Sequence, residues 1–339
     1  TRAIMPAMIP THDDVVAAAG RIAGRVRRTP LLALPEDGPG GLGPDLWAKP
    51  ENLQRTGSFK LRGATNFLAA MDPTDRARGV VTHSSGNHGQ AVACAAAGFG
   101  VPATVVIPEG APAVKVERTR AWGATVLRCE NSGAAREAAA RKVADRTGET
   151  IVPPYDHDWI VAGQGTAGLE IAVDLPDVAN VLVCVGGGGL SAGTVLALRE
   201  AAPQAQVVGV EPALAADAHA SLQAGRRLAW TAAETNRTIA DGVRTPQLGA
   251  VPWGIVQDGL AGIVTVDEDA IRAAAAWWPR YGRLVVEPTG ALTLAAWRRL
   301  AEGPADGVTL RPGPTVLVLS GGNVDDAVLA DLLRDPTLR

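Results

Sequence analysis

Short apolar runs alternate with helical segments along this chain of 339 residues, and that alternation restricts its fold more than any other feature. The candidate strands are residues 79–83, 103–107, 124–127, 181–185, 206–210 and 315–319, and the candidate helices are 89–98, 113–122 and 133–146. Strands that are apolar throughout are typical of parallel sheets covered by helices on both faces. The pattern therefore predicts an α/β fold whose ligands bind beyond the carboxyl ends of the strands.

Composition excludes several classes of protein. A net charge of −3 argues against electrostatic binding of nucleic acid. The longest uncharged stretch, 178–198, is interrupted by four glycines and makes a poor membrane helix. The three cysteines are too few and too scattered for a disulfide framework or a zinc cluster. We therefore expect a cytoplasmic protein that binds neither nucleic acid nor membranes.

Two motifs in the first third of the chain carry groups suited to chemistry. Lys60 lies between Ser58-Phe59 and Gly63; most lysines are solvated, but a buried lysine with a lowered pKa forms Schiff bases. Residues 84–90, with the sequence SSGNHGQ, follow a candidate strand and open a helix. Backbone amides at a helix start bind anions such as a substrate carboxylate. Simple capping of the helix by Ser85 or Asn87 is the alternative.

Two further motifs follow strands in the second half of the chain. Four consecutive glycines, 186–189, would let bare amides surround a phosphate. Gly187, Gly189 and Ala192 also match a dinucleotide-binding fingerprint, with Glu211 about 20 residues further on. Ser320, before Gly321-Gly322, could be a neutral hydrogen-bond partner for a ring nitrogen, although Ser-Gly-Gly is also a common turn.

Together the four motifs resemble those of the fold type II pyridoxal-phosphate (PLP) enzymes, in the threonine/serine dehydratase and serine racemase branch. The resemblance runs from about Pro30 to Asp325, and the SFKLRGA and SSGNHGQ segments are its most specific parts. The dinucleotide interpretation explains only the glycine run. The resemblance implies a tryptophan synthase β-like fold, with a large PLP-binding domain (1–70 and 156–339) and a smaller inserted α/β domain (71–155). It also implies a homodimer.

The resemblance assigns roles to individual residues. Lys60 would form the Schiff base and act as general base, with Phe59 beside the pyridine ring and Asn87 on its phenolic oxygen. The phosphate would be held by Gly186, Gly187, Gly188 and Gly189, and the ring nitrogen would face Ser320. The substrate would be bound by Ser84, Ser85, Asn87, His88 and Arg136.

The resemblance also implies a divalent cation site. Glu211, the carbonyl of Ala215, and Asp217 fall where family members bind a cation. Because all three ligands are oxygens, Mg²⁺, Ca²⁺ or Mn²⁺ would suit them. This role competes with the dinucleotide interpretation of Glu211.

The expected activity is dehydration and deamination of a β-hydroxy amino acid, such as L-threonine or L-serine, to a 2-oxo acid and ammonia. Serine racemase or 3-hydroxyaspartate dehydratase activity stays open, because Ser85 could be a second acid/base, and His83 or Arg136 could bind a distal carboxylate. Tyr155 favours the dehydratases, since it stands where animal-type serine racemases have asparagine. An inactive metabolite-binding homologue is the alternative that is not an enzyme.

Overall fold

Two β-sheets organise the protein in the computed structural model, which describes residues 9–38, 40–84, 86–111 and 113–335. The larger sheet contains β1 (Leu32–Ala33), β2 (Leu46–Pro50), β7 (Asn180–Cys184), β8 (Gln206–Pro212), β9 (Gly262–Val266) and β10 (Thr315–Leu319). The smaller contains β3 (Val80–His83), β4 (Ala103–Pro108), β5 (Thr125–Cys129) and β6 (Thr150–Ile151). The predicted α/β fold with mostly parallel sheets is confirmed.

The larger sheet has the strand order β1-β2-β10-β7-β8-β9, and only the β1–β2 pair is antiparallel. Its register pairs Pro50 with Leu319 and Cys184 with Val210. The carboxyl ends of β2, β10, β7 and β8 therefore meet at one edge. This edge gathers the segments that follow those strands, including Lys60, Ser320 and the four glycines.

The smaller sheet is wholly parallel, with the order β5-β4-β3-β6. His83 pairs with Val106 at the carboxyl ends of β3 and β4, so the segment starting at Ser84 leaves the sheet at this edge. The strands of this sheet all come from residues 80–151, whereas the larger sheet draws strands from both sides of that segment.

Helices cover the faces of both sheets. Those between strands of the smaller sheet are α4 (Asn87–Phe99), α5 (Ala113–Ala121) and α6 (Gly133–Thr147), and α3 (Pro73–Ala77) precedes it. The others are α1 (His12–Ile22), α2 (Lys60–Ala70), α7 (Asp158–Asp174), α8 (Gly189–Ala201), α9 (Asp217–Ala224), α10 (Ala232–Thr235), α11 (Ala250–Gly259), α12 (Glu268–Trp277), α13 (Pro288–Ala301) and α14 (Asp326–Arg334). Among the described helices, none is long and apolar enough to cross a membrane.

Helix α2 links the two cores. Its residues Leu61, Phe67 and Leu68 are buried in the core of the smaller sheet, together with residues of α4 and β4. The same helix packs against α7, which lies on the larger sheet beside α8. The amino end of α2, where Lys60 lies, is therefore fixed between the two sheets.

Candidate active site

A cavity of about 900 Å³ lies between the carboxyl edges of the two sheets. It is lined by most of the residues singled out in the sequence, namely Phe59, Lys60, Ser84, Asn87, His88, Arg136, Gly186, Gly187, Gly188, Gly189 and Ser320. Ser85 lies outside the described residues. The proposed metal ligands Glu211, Ala215 and Asp217 do not line this cavity.

Lys60 is the first residue of α2 and projects into the cavity. Its Nζ donates a hydrogen bond to the carbonyl of Pro154 (2.8 Å) and lies 5.0 Å from the centre of the Phe59 ring. Burial lowers the pKa of Lys60 to about 8, because desolvation disfavours the charged amine. About a tenth of this amine is therefore unprotonated and nucleophilic at pH 7, far more than for an ordinary lysine.

His88 and Cys184 interact electrostatically with Lys60, and both side chains are uncharged at neutral pH. Burial, with Lys60 nearby, lowers the pKa of His88 to about 3. The Nε2 of His88 lies 3.1 Å from the carbonyl of Val152, which makes it the protonated nitrogen of the neutral ring. Burial raises the pKa of the Cys184 thiol to about 11. Desolvation, rather than a neighbouring charge, therefore sets the acidity of Lys60.

The four glycines form a tight passage from β7 into α8. Gly188 has φ +89°, which favours glycine, and no side chain caps the amino end of α8. A Cβ on Gly187 would lie 2.2 Å from the Tyr155 ring. Next to the loop, the buried Thr245 hydroxyl has no hydrogen-bond partner among the described residues. This arrangement leaves backbone amides and one hydroxyl for an anion such as phosphate.

A second helix also begins at the cavity, and no side chain of the described residues caps it. Helix α4 follows Gly86, and neither Gly86 nor Asn87 caps it. The Ser84 hydroxyl accepts a hydrogen bond from the Gly86 amide (3.1 Å). Asn87 therefore does not cap the helix, and the other candidate cap, Ser85, lies outside the described residues. The side-chain amide of Asn87 donates its hydrogen bond to another group.

That group is Glu287, which the sequence analysis missed. Asn87 Nδ2 donates to Glu287 Oε1 (2.8 Å), and Asn87 Oδ1 accepts from Asn323 Nδ2 (2.7 Å). The backbone N–H of Asn323 closes the triangle by donating to Glu287 Oε2 (3.0 Å). The available signal was an acidic residue before Pro288 at a helix start, which is common and not specific. The triangle joins the loop of the smaller sheet to the larger one.

Ser320 directly follows β10 and is 1% exposed. Its hydroxyl makes no hydrogen bond to an oxygen or nitrogen atom of the described residues, and the Cys184 thiol lies beside it. A buried hydroxyl without a partner costs free energy unless a ligand supplies one. Ser320 is therefore positioned to bind a polar atom of a group in the cavity.

Cationic side chains line the wall formed by the smaller sheet. Arg136, on α6, donates one long hydrogen bond from Nε to the Ser132 carbonyl (3.3 Å). Burial, and to a lesser extent the charge of Arg136, lowers the pKa of His83. Arg118, on α5, also lines the cavity and makes no hydrogen bond or ion pair with the described residues. Glu137 is the acidic residue on this wall. Arg118 was not singled out in the sequence, since an isolated arginine on a helix is usually solvated.

Glu211 and Asp217 lie together, away from the cavity. Both side chains are buried. Burial and the nearby Asp217 carboxylate raise the pKa of Glu211 well above its usual value. Burial also raises the pKa of Asp217, to about 7. Glu211 accepts hydrogen bonds from the amides of Ala218 (3.1 Å) and His219 (2.7 Å), at the start of α9. The buried Glu211 carboxylate is engaged by the start of α9 and is not available to a ribose, so the dinucleotide interpretation fails. Asp217 Oδ2 has no partner in the described part of the chain.

Comparisons with known proteins identify the family. A sequence model of the pyridoxal-phosphate dependent enzymes matches residues 22–321. The chain belongs to this family. Its structural neighbours are fold type II members, as the motifs indicated. Pyridoxal phosphate fits the residues present, because the cavity combines Lys60, the bare glycine loop and the hydroxyls of Thr245 and Ser320, which have no oxygen or nitrogen partner among the described residues.

Three relatives show the range of activities in this part of the family. An L-threonine ammonia-lyase of Geobacter sulfurreducens is 42% identical, covering 94% of this chain and 76% of its own. An L-threo-3-hydroxyaspartate ammonia-lyase of a Pseudomonas species is 39% identical, covering 96% and 98%. The structure of maize serine racemase has a TM-score of 0.87 at 35% identity, covering 96% and 97%.

Proposed function

We propose that this protein is a PLP-dependent ammonia-lyase that eliminates water from a β-hydroxy amino acid, after which hydrolysis of the released enamine consumes one water and gives a 2-oxo acid and ammonia. The observation that carries the proposal is the Lys60 amine, whose pKa burial lowers to about 8, in one cavity with the glycine loop and the Ser320 hydroxyl. An inactive binding protein would not need such an amine. The ammonia-lyases among the relatives support the same reaction.

The residues of the cavity divide the work of holding the cofactor. The amides of 186–189 and the Thr245 hydroxyl would bind its phosphate, Ser320 its ring nitrogen, and Lys60 its aldehyde carbon. When bound, the cofactor supplies an electron sink for negative charge at the substrate Cα. Because Ser320 is a neutral hydroxyl, it does not hold a proton on the ring nitrogen as a carboxylate would. This difference favours rapid loss of the β-hydroxyl.

Lys60 supplies the proton chemistry. Its free amine takes the proton from the substrate Cα as general base, which is efficient when the pKa lies near the working pH. The start of α4 and the Ser84 hydroxyl bind the substrate carboxylate, since no described side chain caps the helix and competes for its amides. The Asn87–Glu287–Asn323 triangle holds this loop against the larger sheet.

Domain organisation and setting complete the proposal. Residues 71–155 form a small domain that closes over the substrate, and 1–70 with 156–339 form the cofactor domain. The protein is a cytoplasmic homodimer. Three free cysteines suit a reducing compartment, and exposed apolar side chains such as Val173 (70%) and Val285 (47%) support an interface.

A divalent cation at Glu211, Asp217 and the Ala215 carbonyl is part of the proposal. The described residues contain no group of three or more His, Cys, Asp and Glu side chains that could hold a metal. Two carboxylates with a carbonyl nevertheless form an all-oxygen set that suits Mg²⁺, Ca²⁺ or Mn²⁺. The unpartnered Asp217 Oδ2 supports the proposal, because a buried carboxylate oxygen needs a partner.

A second candidate is a lyase specific for 3-hydroxyaspartate. The specific observation is the wall bearing Arg118 and Arg136, because a substrate with a second carboxylate would find two cations there. Relatives with this named activity support it. Racemisation stays an alternative through Ser85, the candidate second acid/base, which lies outside the described residues.

The decisive experiment incubates the purified holoenzyme with L- and D-threonine, L- and D-serine, and threo-3-hydroxyaspartate, with and without Mg²⁺. Release of 2-oxo acid is followed in a coupled assay, and residual serine is analysed for chirality. We expect 2-oxo acid from at least one L-substrate. Inverted serine without 2-oxo acid would identify a racemase instead, and bound cofactor without any turnover would identify an inactive homologue.

A further inference from the structure

A buried cluster of charged side chains lies behind Lys60, outside the cavity. Its members Lys49, Glu51 and Arg62 have side chains that are 0% exposed, and Glu170 is 16% exposed. Two cations and two carboxylates balance one another, so the cluster brings no net charge. Because no member lines the cavity, none can contact a ligand there.

Arg62 is the centre of the cluster. Its Nε and Nη2 donate to the two carboxylate oxygens of Glu51 (2.7 and 2.8 Å). Its Nη1 and Nη2 donate to those of Glu170 (2.7 and 2.8 Å), and Nη1 also reaches Thr166 Oγ1 (3.2 Å). Paired bonds to two carboxylates need a planar guanidinium, which a lysine ammonium cannot replace.

These bonds fix the first turn of α2 to its surroundings. The helix starts at Lys60 without a side-chain cap, and Phe59 occupies the capping position. The Gly63 amide donates instead to Gln164 Oε1 on α7 (3.1 Å). The backbones of α2 and α7 approach so closely that a Cβ on Gly163 would lie 2.7 Å from Gly63 Cα. Ties to α7 and to the segment after β2 therefore set the direction of this helix start.

We propose that Arg62 is a positioning residue for Lys60: by bridging Glu51 and Glu170, it fixes the helical turn from which the reacting amine projects. The inference rests on the proposed function, because Lys60 matters as a base only in that reaction. Arg62 follows Lys60 by two residues, within the same turn. The substrate-carboxylate loop leaves the smaller sheet, so a shift of Lys60 alters proton transfer more than substrate binding.

The test uses Glu170→Gln, which places an amide where Lys49 and Arg62 direct their donors, while Glu51 still binds Arg62. Ile171→Val, at the next buried position of α7, is the matched control for a loss of packing. Arg62→Lys is the conservative variant. For each holoenzyme, kcat and KM are measured with the substrate that the wild type turns over fastest. For each cofactor-free protein, the pH dependence of Lys60 acylation is followed by mass spectrometry.

We expect Glu170→Gln and Arg62→Lys to lower kcat by about tenfold or more, since small displacements of a catalytic group are costly, with KM within about twofold. Because a displaced amine is less desolvated, we also expect the Lys60 pKa to rise from about 8, while Ile171→Val keeps both wild-type values. Should Arg62→Lys fail to fold, Glu170→Gln decides alone. Wild-type kcat and titration in a folded Glu170→Gln variant would overturn the proposal. A wild type without lyase activity would refute the proposed function, and the titration would still test the positioning.

Discussion

At the scale of single residues, desolvation governs the chemistry of this cavity. Lys60 has a pKa of about 8 because it is buried, and its neighbours His88 and Cys184 are both neutral at physiological pH. Ser320 also contributes an uncharged group. A free amine among neutral groups can act as nucleophile and as base without a neighbouring charge to stabilise its protonated form.

The lowered pKa of Lys60 predicts how the cofactor-free protein takes up pyridoxal phosphate. Only the free amine attacks an aldehyde, so the uptake rate should rise with pH through about 8 and level off above about 9. The visible absorbance of the bound cofactor gives the rate in a stopped-flow instrument. A rise centred near the ordinary lysine value of 10.5 would show that Lys60 is solvated.

Arg118 predicts substrate selectivity. If it binds a distal carboxylate, Arg118→Ala should lower kcat/KM for 3-hydroxyaspartate by about tenfold or more, since a charge-assisted bond is lost. The value for threonine should stay within about twofold. Arg120→Ala is the matched control, because Arg120 is exposed on the same helix and does not line the cavity. Equal losses for both substrates would argue against a distal-carboxylate role.

At the scale of elements, two helices that begin at the cavity, α4 and α8, leave their amino ends open, whereas α6, whose start also lines it, is capped by Ser132. Within the part of the chain that the structure describes, no side chain caps α4 or α8, whereas α1 and α12 are capped by Thr11 and Asp267. Uncapped amides cost free energy unless a ligand binds them. The open starts of α4 and α8 therefore provide places for two anionic groups, the substrate carboxylate and the cofactor phosphate.

Gly187→Ala tests the loop before α8. The new Cβ would lie 2.2 Å from the Tyr155 ring, which is a severe steric clash, so the loop or the ring must move. We expect cofactor affinity to fall by about a hundredfold, in line with the loss of several charge-assisted bonds, while the protein stays folded. Equilibrium dialysis measures the affinity. Gly98→Ala, where a Cβ meets open space, should bind as the wild type does, and wild-type affinity in both variants would contradict the assignment.

The carboxylates at the end of β8 and the start of α9 predict a response to divalent cations. Adding Mg²⁺ to chelator-treated protein should raise the melting temperature, because the cation offsets repulsion between Glu211 and Asp217. Differential scanning fluorimetry gives the shift. Asp217→Asn should abolish the response, while the exposed Asp258→Asn should keep it. The same shift in Asp217→Asn as in the wild type would place the cation elsewhere.

Elements whose pattern is local could be predicted from the sequence, and elements defined by distant partners could not. The apolar runs of β3, β4, β7, β8 and β10 were predicted within one or two residues. Strand β2 contains Lys49 and Pro50, and its pairing with β10 depends on residues about 270 positions away. Glu287 was missed for the same reason, since it meets Asn87 across 200 residues. The segment after β3, the four glycines and Ser320 were accessible because each directly follows a strand, whereas Lys60, at the start of α2, was found from its own local motif.

At the scale of the whole molecule, the cavity lies between two sheets that are joined through α2 and the Asn87–Glu287–Asn323 triangle. The substrate loop belongs to the smaller sheet, and the cofactor loops belong to the larger. Closure of the smaller sheet over the substrate would exclude water from the reacting groups. The charged wall bearing Arg118 and Arg136 would move with it.

This closure predicts a change in hydrogen exchange. α-Methylserine has no Cα proton, so it can bind without being eliminated. Its binding to the holoenzyme should slow exchange in the segment that follows β3 and at the start of α6, and leave α12, none of whose residues lines the cavity, unchanged. Mass spectrometry of peptic peptides gives the rates. Unchanged exchange in the smaller sheet at saturating ligand would argue against closure.

The central claim, that Lys60 is the base of a β-elimination, is tested most directly by the rate of 2-oxo acid release in Lys60→Ala. The control is Lys142→Ala, which removes an exposed lysine on α6. The wild type and Lys142→Ala should release 2-oxo acid at equal rates, and Lys60→Ala should be slower by about a thousandfold or more. Release at the wild-type rate by Lys60→Ala would contradict the account.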